Sequence, residues 1–272
     1  MHLFPKPLEW PMDTVVRFNA QIMKPYSRVV VKVTGEALGG SGVPFDPTKL
    51  RYLVSEFSAL AGLVELIIVV GGGNIGRGSA LQRSLGISPR TADHVGMTAT
   101  IINALILKDA LQESLSAGLH CATSQVVVAT AIKADQLAEP FLPEKVIAHL
   151  RKKKVVILAA GTGTGGVTTD TAAVLHAHNL GATIMIKGTK VRGVFDRDPN
   201  APGVGTPAFF KDITYASFLA QDLKLLDPGC IALARTHQVP IQVLDIFSPG
   251  LLVRAIKGEN VGTIISDRPI TA

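Results

Sequence analysis

The sequence predicts an α/β protein built around a mainly parallel β-sheet that helices cover on both faces. Short apolar segments rich in β-branched residues alternate along the chain with segments whose apolar residues recur at helical spacing. This alternation is typical of parallel sheets, because parallel strands are joined through helices. The chain has 272 residues and is 47% hydrophobic, so it can form a sizeable core.

Seven segments have the composition of buried strands. They are residues 28–33, 66–70, 124–129, 155–160, 183–187, 240–244 and 262–265. Helices are predicted at residues 50–61, 93–117, 143–151, 169–179 and 227–238. The helix at 93–117 is long and apolar on more than one face, which would permit packing against another subunit.

The first 27 residues are predicted to be an irregular N-terminal extension, and residues 28–272 a single domain. Four prolines in the extension interrupt any helix, and it lacks the apolar core of a signal peptide. The apolar runs of the chain are far shorter than the ~20 residues that span a bilayer, so we expect no membrane segment. A cytoplasmic location is expected, and an organellar address in the extension stays open.

The net charge indicates which kind of ligand the protein binds, and the number of cysteines indicates the redox state of its compartment. The formal net charge is +6, but the only basic run is residues 151–154 and aromatic residues are only 5%. Small polyanionic ligands are therefore favoured over nucleic acid, which stays a minor alternative. Cys121 and Cys230 are too few for a disulfide framework and fit a reducing compartment.

Two glycine-rich turns, residues 71–78 and 161–170, each follow a predicted strand. Glycine leaves backbone N–H groups accessible, and the N-terminus of the next helix favours negative charge, so each turn predicts a phosphate site. Parallel sheets bind ligands at the carboxyl ends of their strands, where both turns lie. Two turns indicate two phosphorylated ligands.

The common nucleotide-binding motifs do not account for these turns. Both turns match G-x-G-x-x-G, but a Rossmann unit needs a following helix and then a strand that ends in an acidic residue. After the first turn, residues 79–92 contain no predicted strand and Asp93 opens a helix; after the second, the next strand ends in Lys187. Neither turn ends in the Gly-Lys-Ser/Thr of a P-loop.

Five motifs in a fixed order resemble those of another family. They are KVTGEAL at 32–38, GGGNIGRG at 71–78, DHVGM at 93–97, TTDTAA at 168–173 and KGTKVRGVFDRDP at 187–199. In this order they are similar to the bacterial-type uridylate (UMP) kinases of the amino-acid-kinase superfamily, over about residues 24–266. Several motifs in one order are far more specific than a single glycine loop.

The resemblance implies a three-layer αβα sandwich in which UMP and MgATP meet above the strand ends. It implies catalytic roles for Lys32, Arg77 and Asp170. The ATP-binding positions would be Lys32, Thr34, Gly35, Gly73, Arg77, Thr189, Phe195 and Asp198. The UMP-binding positions would be Gly72, Asp93, Thr162, Gly163, Thr164, Thr168 and Thr169. Mg²⁺ is expected with ATP, held by phosphates and water rather than by protein ligands, and the resemblance implies a homohexamer.

Each of these residues also has a structural interpretation. Lys32 alone would be a solvated lysine at a strand end, and the glycines would only form tight turns. Asp93 alone would more often be a helix N-cap, and Phe195 would be an ordinary core residue. The residue types nevertheless suit phosphoryl transfer, which needs positioning and neutralisation of charge more than a base.

The acceptor loop departs from the family pattern. Residues 164–167, Thr-Gly-Gly-Val, stand where the family usually has Asn-Pro and two aromatic residues, and Arg192 stands where an acidic residue is common. Without the proline the loop is less stiff, and without the aromatic residues it offers no surface on which a base can stack. The sequence therefore does not determine which base the acceptor nucleotide carries. Two alternatives to a UMP kinase therefore remain: a relative that phosphorylates a carboxylate or carbamate, and a non-catalytic relative that binds nucleotides or oxyanions.

Overall fold

The structure is a computed structural model that describes residues 26–76, 78–117, 125–199, 201 and 205–268, apart from the side chain of Ser79. The strands are β1 (Arg28–Val33), β2 (Glu65–Val70), β3 (Val126–Thr130), β4 (Glu139–Pro140), β5 (Val155–Ala159), β6 (Ile184–Thr189), β7 (Val194–Phe195), β8 (Phe209–Phe210), β9 (Asp212–Ile213), β10 (Ile241–Asp245) and β11 (Thr263–Ile265). The helices are α1 (Pro47–Ser58), α2 (Gly78–Leu85), α3 (Pro89–Ala117), α4 (Pro143–Arg151), α5 (Thr169–Asn179), α6 (Tyr215–Ala220), α7 (Pro228–His237) and α8 (Leu251–Ile256). A single 3₁₀ turn, Gly35–Ala37, follows β1.

Nine of these strands form one sheet in the order β4-β3-β5-β2-β1-β6-β10-β11-β9. All neighbouring pairs are parallel except β10 and β11, so the predicted mainly parallel sheet is confirmed. The short strands β7 and β8 form a separate antiparallel hairpin. Strands β1, β2, β5 and β6 occupy the middle of the sheet, and both glycine-rich turns follow strands of this group.

Helices cover both faces of the sheet. In β1, Val29 and Val31 pack on one face while Val30 packs on the other, because successive side chains of a strand point to opposite faces. The first face is covered by apolar residues of α1, α3 and α8, and the second by those of α4 to α7. The three-layer αβα sandwich is therefore confirmed. None of the helices in the described part of the chain combines the length and the apolar character needed to cross a membrane.

Side-chain caps fix the starts of several helices, among them α1, α5 and α7. Asp46 accepts hydrogen bonds from the backbone of Thr48 and Lys49 at the start of α1. Thr168 caps α5 by accepting from Thr171 N, and Asp227 caps α7 by accepting from Cys230 N. Each cap satisfies a backbone donor that the helix itself leaves unpaired. The α5 and α7 caps also place polar residues at the carboxyl edge of the sheet.

Helix α3 begins at Pro89 rather than at Asp93, so the prediction of its start was wrong by four residues. Ser88 Oγ accepts a hydrogen bond from Thr91 N, and Pro89 occupies the first helical position, where it loses no hydrogen bond. Asp93 is therefore not the N-cap, and its carboxylate accepts a hydrogen bond from the backbone of Gly166 instead. Helices α2, α6 and α8 and the short strands β4 and β7 to β9 were not predicted.

Tyr26, at the end of the predicted N-terminal extension, packs against the described domain, and the predicted boundary stays a prediction. Tyr26 is buried, and its N–H donates to the carbonyl of Ile256 at 3.0 Å. Residues 1–25, Arg77 and Cys121 lie outside the described residues, as does the beginning of the strand predicted at 124–129.

Candidate active site

A cleft of about 630 Å³ opens at the carboxyl ends of the central strands. Its floor is formed by the ends of β1 and β6, and its sides by the two glycine-rich turns, α3 and the first turn of α5. Carboxyl ends of adjacent parallel strands meet at one edge of a sheet, which brings turns distant in the chain together. This cleft lies where the sequence predicts the ligand site.

Two buried lysines share one carboxylate on the floor of this cleft. Lys32 on β1 and Lys187 on β6 are only 4% and 5% exposed. Lys32 Nζ lies 2.9 Å from Asp170 Oδ1, and Lys187 Nζ lies 2.6 Å from Asp170 Oδ2. Lys187 Nζ also donates to the carbonyl of Leu225 at 2.6 Å. Asp170 is the second residue of α5, so its position depends on the start of that helix.

The charges on the cleft floor shift the pKa values of Asp170 and Lys32. Burial alone would raise the pKa of Asp170, but the nearby ammonium groups of Lys187 and Lys32 outweigh it, and the net direction is downward. Burial lowers the pKa of Lys32, and Lys187 adds to this effect while Asp170 opposes it. The positive end of the α5 dipole points at the same place. The cleft floor thus carries an excess of positive charge and suits phosphate oxygens.

A pair of amide side chains holds the first glycine-rich turn. Asn103 is fully buried, and its Nδ2 donates to Gly71 O at 2.6 Å and to Asn74 Oδ1 at 2.7 Å. Asn74 Nδ2 donates back to Asn103 Oδ1 at 3.0 Å and to Pro44 O at 2.7 Å. Gly35 packs directly against this turn, and a Cβ there would lie 2.6 Å from Gly73 N. The turn is therefore tied both to α3 and to the segment after β1.

The second turn reaches across the cleft to α3. Gly166 N donates to Asp93 Oδ2 at 3.1 Å, and a Cβ on Gly165 would overlap the same carboxylate oxygen. At the end of the turn, Thr168 Oγ1 donates to Asp227 Oδ2 at 2.6 Å. Asp227 thus ties this turn to the start of α7. Asp93 therefore holds the middle of the turn, and Asp227 holds its C-terminal end.

The structure brings most of the predicted site residues into one cleft. Those that line it are Lys32, Thr34, Gly35, Gly72, Gly73, Asp93, Thr164, Thr168, Thr169 and Asp170. Gly163 instead lines an adjoining depression of about 570 Å³, beside Arg90 and His94 of α3. Arg77 lies outside the described residues. Their roles in binding or catalysis stay predictions.

Four predicted residues lie away from the described lining of the two cavities: Thr162, Thr189, Phe195 and Asp198. The Thr189 hydroxyl donates to Val191 O at 2.7 Å and accepts from Val191 N, so it stabilises its own turn. Phe195 packs against Phe209, with ring centroids 5.3 Å apart. The contributions of Thr189, Phe195 and Asp198 to ATP binding, and of Thr162 to UMP binding, likewise stay predictions.

Several residues that organise the cleft were missed in the sequence. Lys187 was considered as the end of a strand and the start of a motif but not as a site residue, although a lysine in the apolar run of β6 repeats the pattern of Lys32 in β1. Asp227 precedes Pro228, which is a recognisable helix-start signal. The role of Asn103 could not be predicted, because the sequence does not show which group a single polar residue in an apolar helix contacts.

Comparisons with known proteins agree with this geometry. A sequence model of the amino acid kinase family matches residues 27–245. The uridylate kinase of Xanthomonas oryzae pv. oryzae is 40% identical over 246 residues, which are 89% of this chain and 98% of that protein. The uridylate kinase of Xanthomonas euvesicatoria pv. vesicatoria is 39% identical with the same coverage.

Solved structures show the same relationship. The UMP kinase of Bacillus anthracis is 32% identical, with a TM-score of 0.83 over 90% of this chain and 98% of that one. The UMP kinase of Ureaplasma parvum is 31% identical, with a TM-score of 0.79 over 89% and 99% of the two chains. From the matched family model, the identity and the coverage, the chain belongs to the amino acid kinase family and, within it, to the uridylate kinases.

Proposed function

We propose that this chain is a UMP kinase, which transfers the γ-phosphoryl group of ATP to UMP and releases UDP and ADP. The observation that carries the proposal is the pair of buried lysines, Lys32 and Lys187, held by Asp170 at the carboxyl ends of adjacent strands. The names of the similar proteins supply UMP as the acceptor, and ATP is the proposed phosphoryl donor. The two glycine-rich turns on opposite sides of the cleft supply two places for phosphate groups.

The reaction is a displacement at the γ-phosphorus of ATP. A phosphate oxygen of UMP attacks the phosphorus, and the bond to the bridging oxygen of the β-phosphate breaks. The acceptor oxygen is already nucleophilic, so no general base is required. The ammonium groups of Lys32 and Lys187 neutralise charge on the transferring group, and Asp170 keeps both amines aimed at the cleft.

The two nucleotides are assigned to opposite sides of the cleft. Gly35 and Gly73 would let backbone N–H groups approach the ATP phosphates, because neither carries a side chain there. Asp93 would accept hydrogen bonds from the ribose hydroxyls of UMP, and Thr168 and Thr169 would contact its phosphate at the start of α5. In the described structure Asp93 contacts Gly166 N, so UMP binding would engage a carboxylate that already touches the acceptor loop.

A divalent metal ion is generally required for phosphoryl transfer from ATP, and we propose Mg²⁺. Within the described residues no group of three or more His, Cys, Asp or Glu side chains is placed to hold a metal ion. Both carboxylate oxygens of Asp170 contact lysines. These residues fit an ion that arrives with the nucleotide, with its ligands from phosphates and water. When bound, Mg²⁺ would neutralise charge on the β- and γ-phosphates.

The cellular setting is proposed from the same assignment. UDP formation would place the chain in pyrimidine nucleotide biosynthesis, and the cytoplasm is its proposed location. A homohexamer is proposed by analogy with the family. The exposed apolar side chain of Ile102, 39% accessible on the outer face of α3, is consistent with a subunit contact there.

The test is steady-state phosphoryl transfer from MgATP to UMP, CMP, dUMP, TMP, AMP and GMP, with Lys32→Ala as the control. We expect UDP formation that prefers UMP and is lost in the variant. Absence of turnover with every nucleotide, while ATP still binds, would contradict the proposal. It would favour a carboxylate or carbamate acceptor, or a protein that only binds nucleotides.

A further inference from the structure

The acceptor loop starts with a residue in an unusual backbone conformation. Ala160, the residue that follows β5, has a φ of 63°, and Gly161 after it has a φ of 58°. Glycine adopts this left-handed conformation readily, whereas alanine does so at a cost in free energy. Such a conformation persists only where the surroundings hold it, and it occurs preferentially at functional sites. Ala160 is fully buried and lines the cleft.

Two side chains from different helices form hydrogen bonds with the backbone of Ala160 and Gly161. Thr100 Oγ1 on α3 accepts a hydrogen bond from Ala160 N at 2.7 Å and donates one to Met97 O at 2.7 Å. His176 Nε2 on α5 lies 3.0 Å from Gly161 O. Both side chains are 3% exposed. We refer to Thr100 and His176 as the loop clamp.

The contacts of His176 define its protonation state. Gly161 O can only accept, so His176 Nε2 carries the proton. Its Nδ1 is buried and has no hydrogen-bond partner among the described residues, and its ring packs edge-on against Phe141. Burial lowers the pKa of His176 and the Gly161 carbonyl only partly opposes this. The clamp therefore uses a neutral imidazole as a fixed donor.

The clamp also orients the peptide group that leads into the loop. The C=O and N–H of one planar trans peptide group point in opposite directions. Because Gly161 O points at His176, the N–H of Thr162 points away from it. The backbone of the loop is therefore oriented from its first peptide by two helices, and these helices carry Asp93 and Asp170.

We propose that Thr100 and His176 are positioning residues, which hold Ala160 and Gly161 in the conformation that the loop needs to bind the acceptor nucleotide. The inference rests on the proposed function, because it takes the loop at residues 161–169 to be the UMP side of the cleft. It concerns binding of the acceptor rather than the chemical step.

The experiment compares KM for UMP, KM for ATP and kcat in the full chain and its variants. Thr100→Val and His176→Met remove the hydrogen bonds, whereas Thr100→Ser and His176→Gln retain a hydroxyl and a donor. In Thr100→Val and His176→Met we expect KM for UMP to rise about tenfold, because each variant loses a buried hydrogen bond. In Thr100→Ser and His176→Gln we expect KM for UMP to rise less than about threefold, because a hydroxyl or a donor is retained. KM for ATP should change less than about twofold in all four.

A further variant tests the role of the backbone conformation. Ala160→Gly removes the cost of a positive φ, so the loop should depend less on the clamp. We therefore expect Ala160→Gly, combined with His176→Met, to recover most of the lost UMP affinity. Absence of recovery would overturn the claim that the clamp holds a strained residue.

The outcomes separate this inference from the proposed function. A wild-type chain that turns over UMP, with an unchanged KM for UMP in Thr100→Val and His176→Met, would overturn the clamp alone. Equal increases of KM for both nucleotides would also overturn it, because they would indicate general loosening. A wild-type chain without UMP turnover would contradict the proposed function itself.

Discussion

Lys32 and Lys187 are paired in register on the adjacent parallel strands β1 and β6, so their side chains leave the sheet side by side on the same face. Asp170 reaches both amines from the start of α5, which covers that face. Each lysine alone would be a costly buried charge, and the shared carboxylate compensates for part of that cost. One positive charge remains on the floor of the cleft, between the two glycine-rich turns.

Replacing Asp170 by Asn should destabilise the protein and slow catalysis. Two buried ammonium groups would lose their counter-charge, which we expect to lower the free energy of unfolding by about 3 kcal/mol. Displacement of the lysines should also lower kcat about 100-fold. Denaturant unfolding and steady-state UDP formation measure the two effects.

A matched control is Glu259→Gln, which removes an exposed ion pair with Arg254. Because solvent screens exposed pairs, this change should lower the free energy of unfolding by less than about 1 kcal/mol and leave kcat unchanged. Equal stability of Asp170→Asn and Glu259→Gln would show that the buried charges do not depend on Asp170.

Replacing Gly165 by Ala should weaken UMP binding through Asp93. The added Cβ would overlap Asp93 Oδ2 and displace the carboxylate, and we expect KM for UMP to rise about tenfold. In the Asp93→Ala background the same change should alter KM for UMP less than about twofold, because the overlap is gone. Additive effects in this double-mutant cycle would show that Gly165 acts independently of Asp93.

His176 should make stability depend on pH near neutrality. Burial lowers its pKa in the folded protein below the value of about 6.5 expected in the unfolded chain. The unfolded state then binds more protons below pH 6.5, so the free energy of unfolding falls as the pH decreases, by at most about 1.4 kcal/mol per pH unit. His176→Gln should lack this slope. If His176→Gln keeps the wild-type dependence of the free energy of unfolding on pH between pH 7.5 and 5.5, the dependence comes from another titrating group.

The overall fold could be predicted from the sequence because its signals are local. Apolar runs such as the one in β2 and helical spacing in α1 identify elements without knowledge of their partners. The start of α3 was predicted four residues too far along the chain. The apolar pattern becomes clear only after Asp93, and the helix-start signal of Ser88 and Pro89 was overlooked. Strands of two residues, such as β7, leave too little pattern to detect.

Site residues that belong to a family motif could be predicted from the sequence. Residues that act through a contact with a distant part of the chain could not. Lys32 and Asp170 follow from the motif order. Lys187 becomes important only through its register with Lys32, which is set by strand order and not by either segment alone. The hydrogen bonds of Thr100 and His176 to the loop likewise depend on how α3 and α5 pack against β5.

The most direct test of the role of the two lysines measures kcat for UDP formation in Lys32→Met and Lys187→Met, alongside the thermal unfolding of each variant. Each lysine should act on the transferring phosphoryl group, so we predict that kcat falls at least about 100-fold in both variants while both remain folded. A folded Lys187→Met variant with the wild-type kcat would contradict the claim that the two lysines act together.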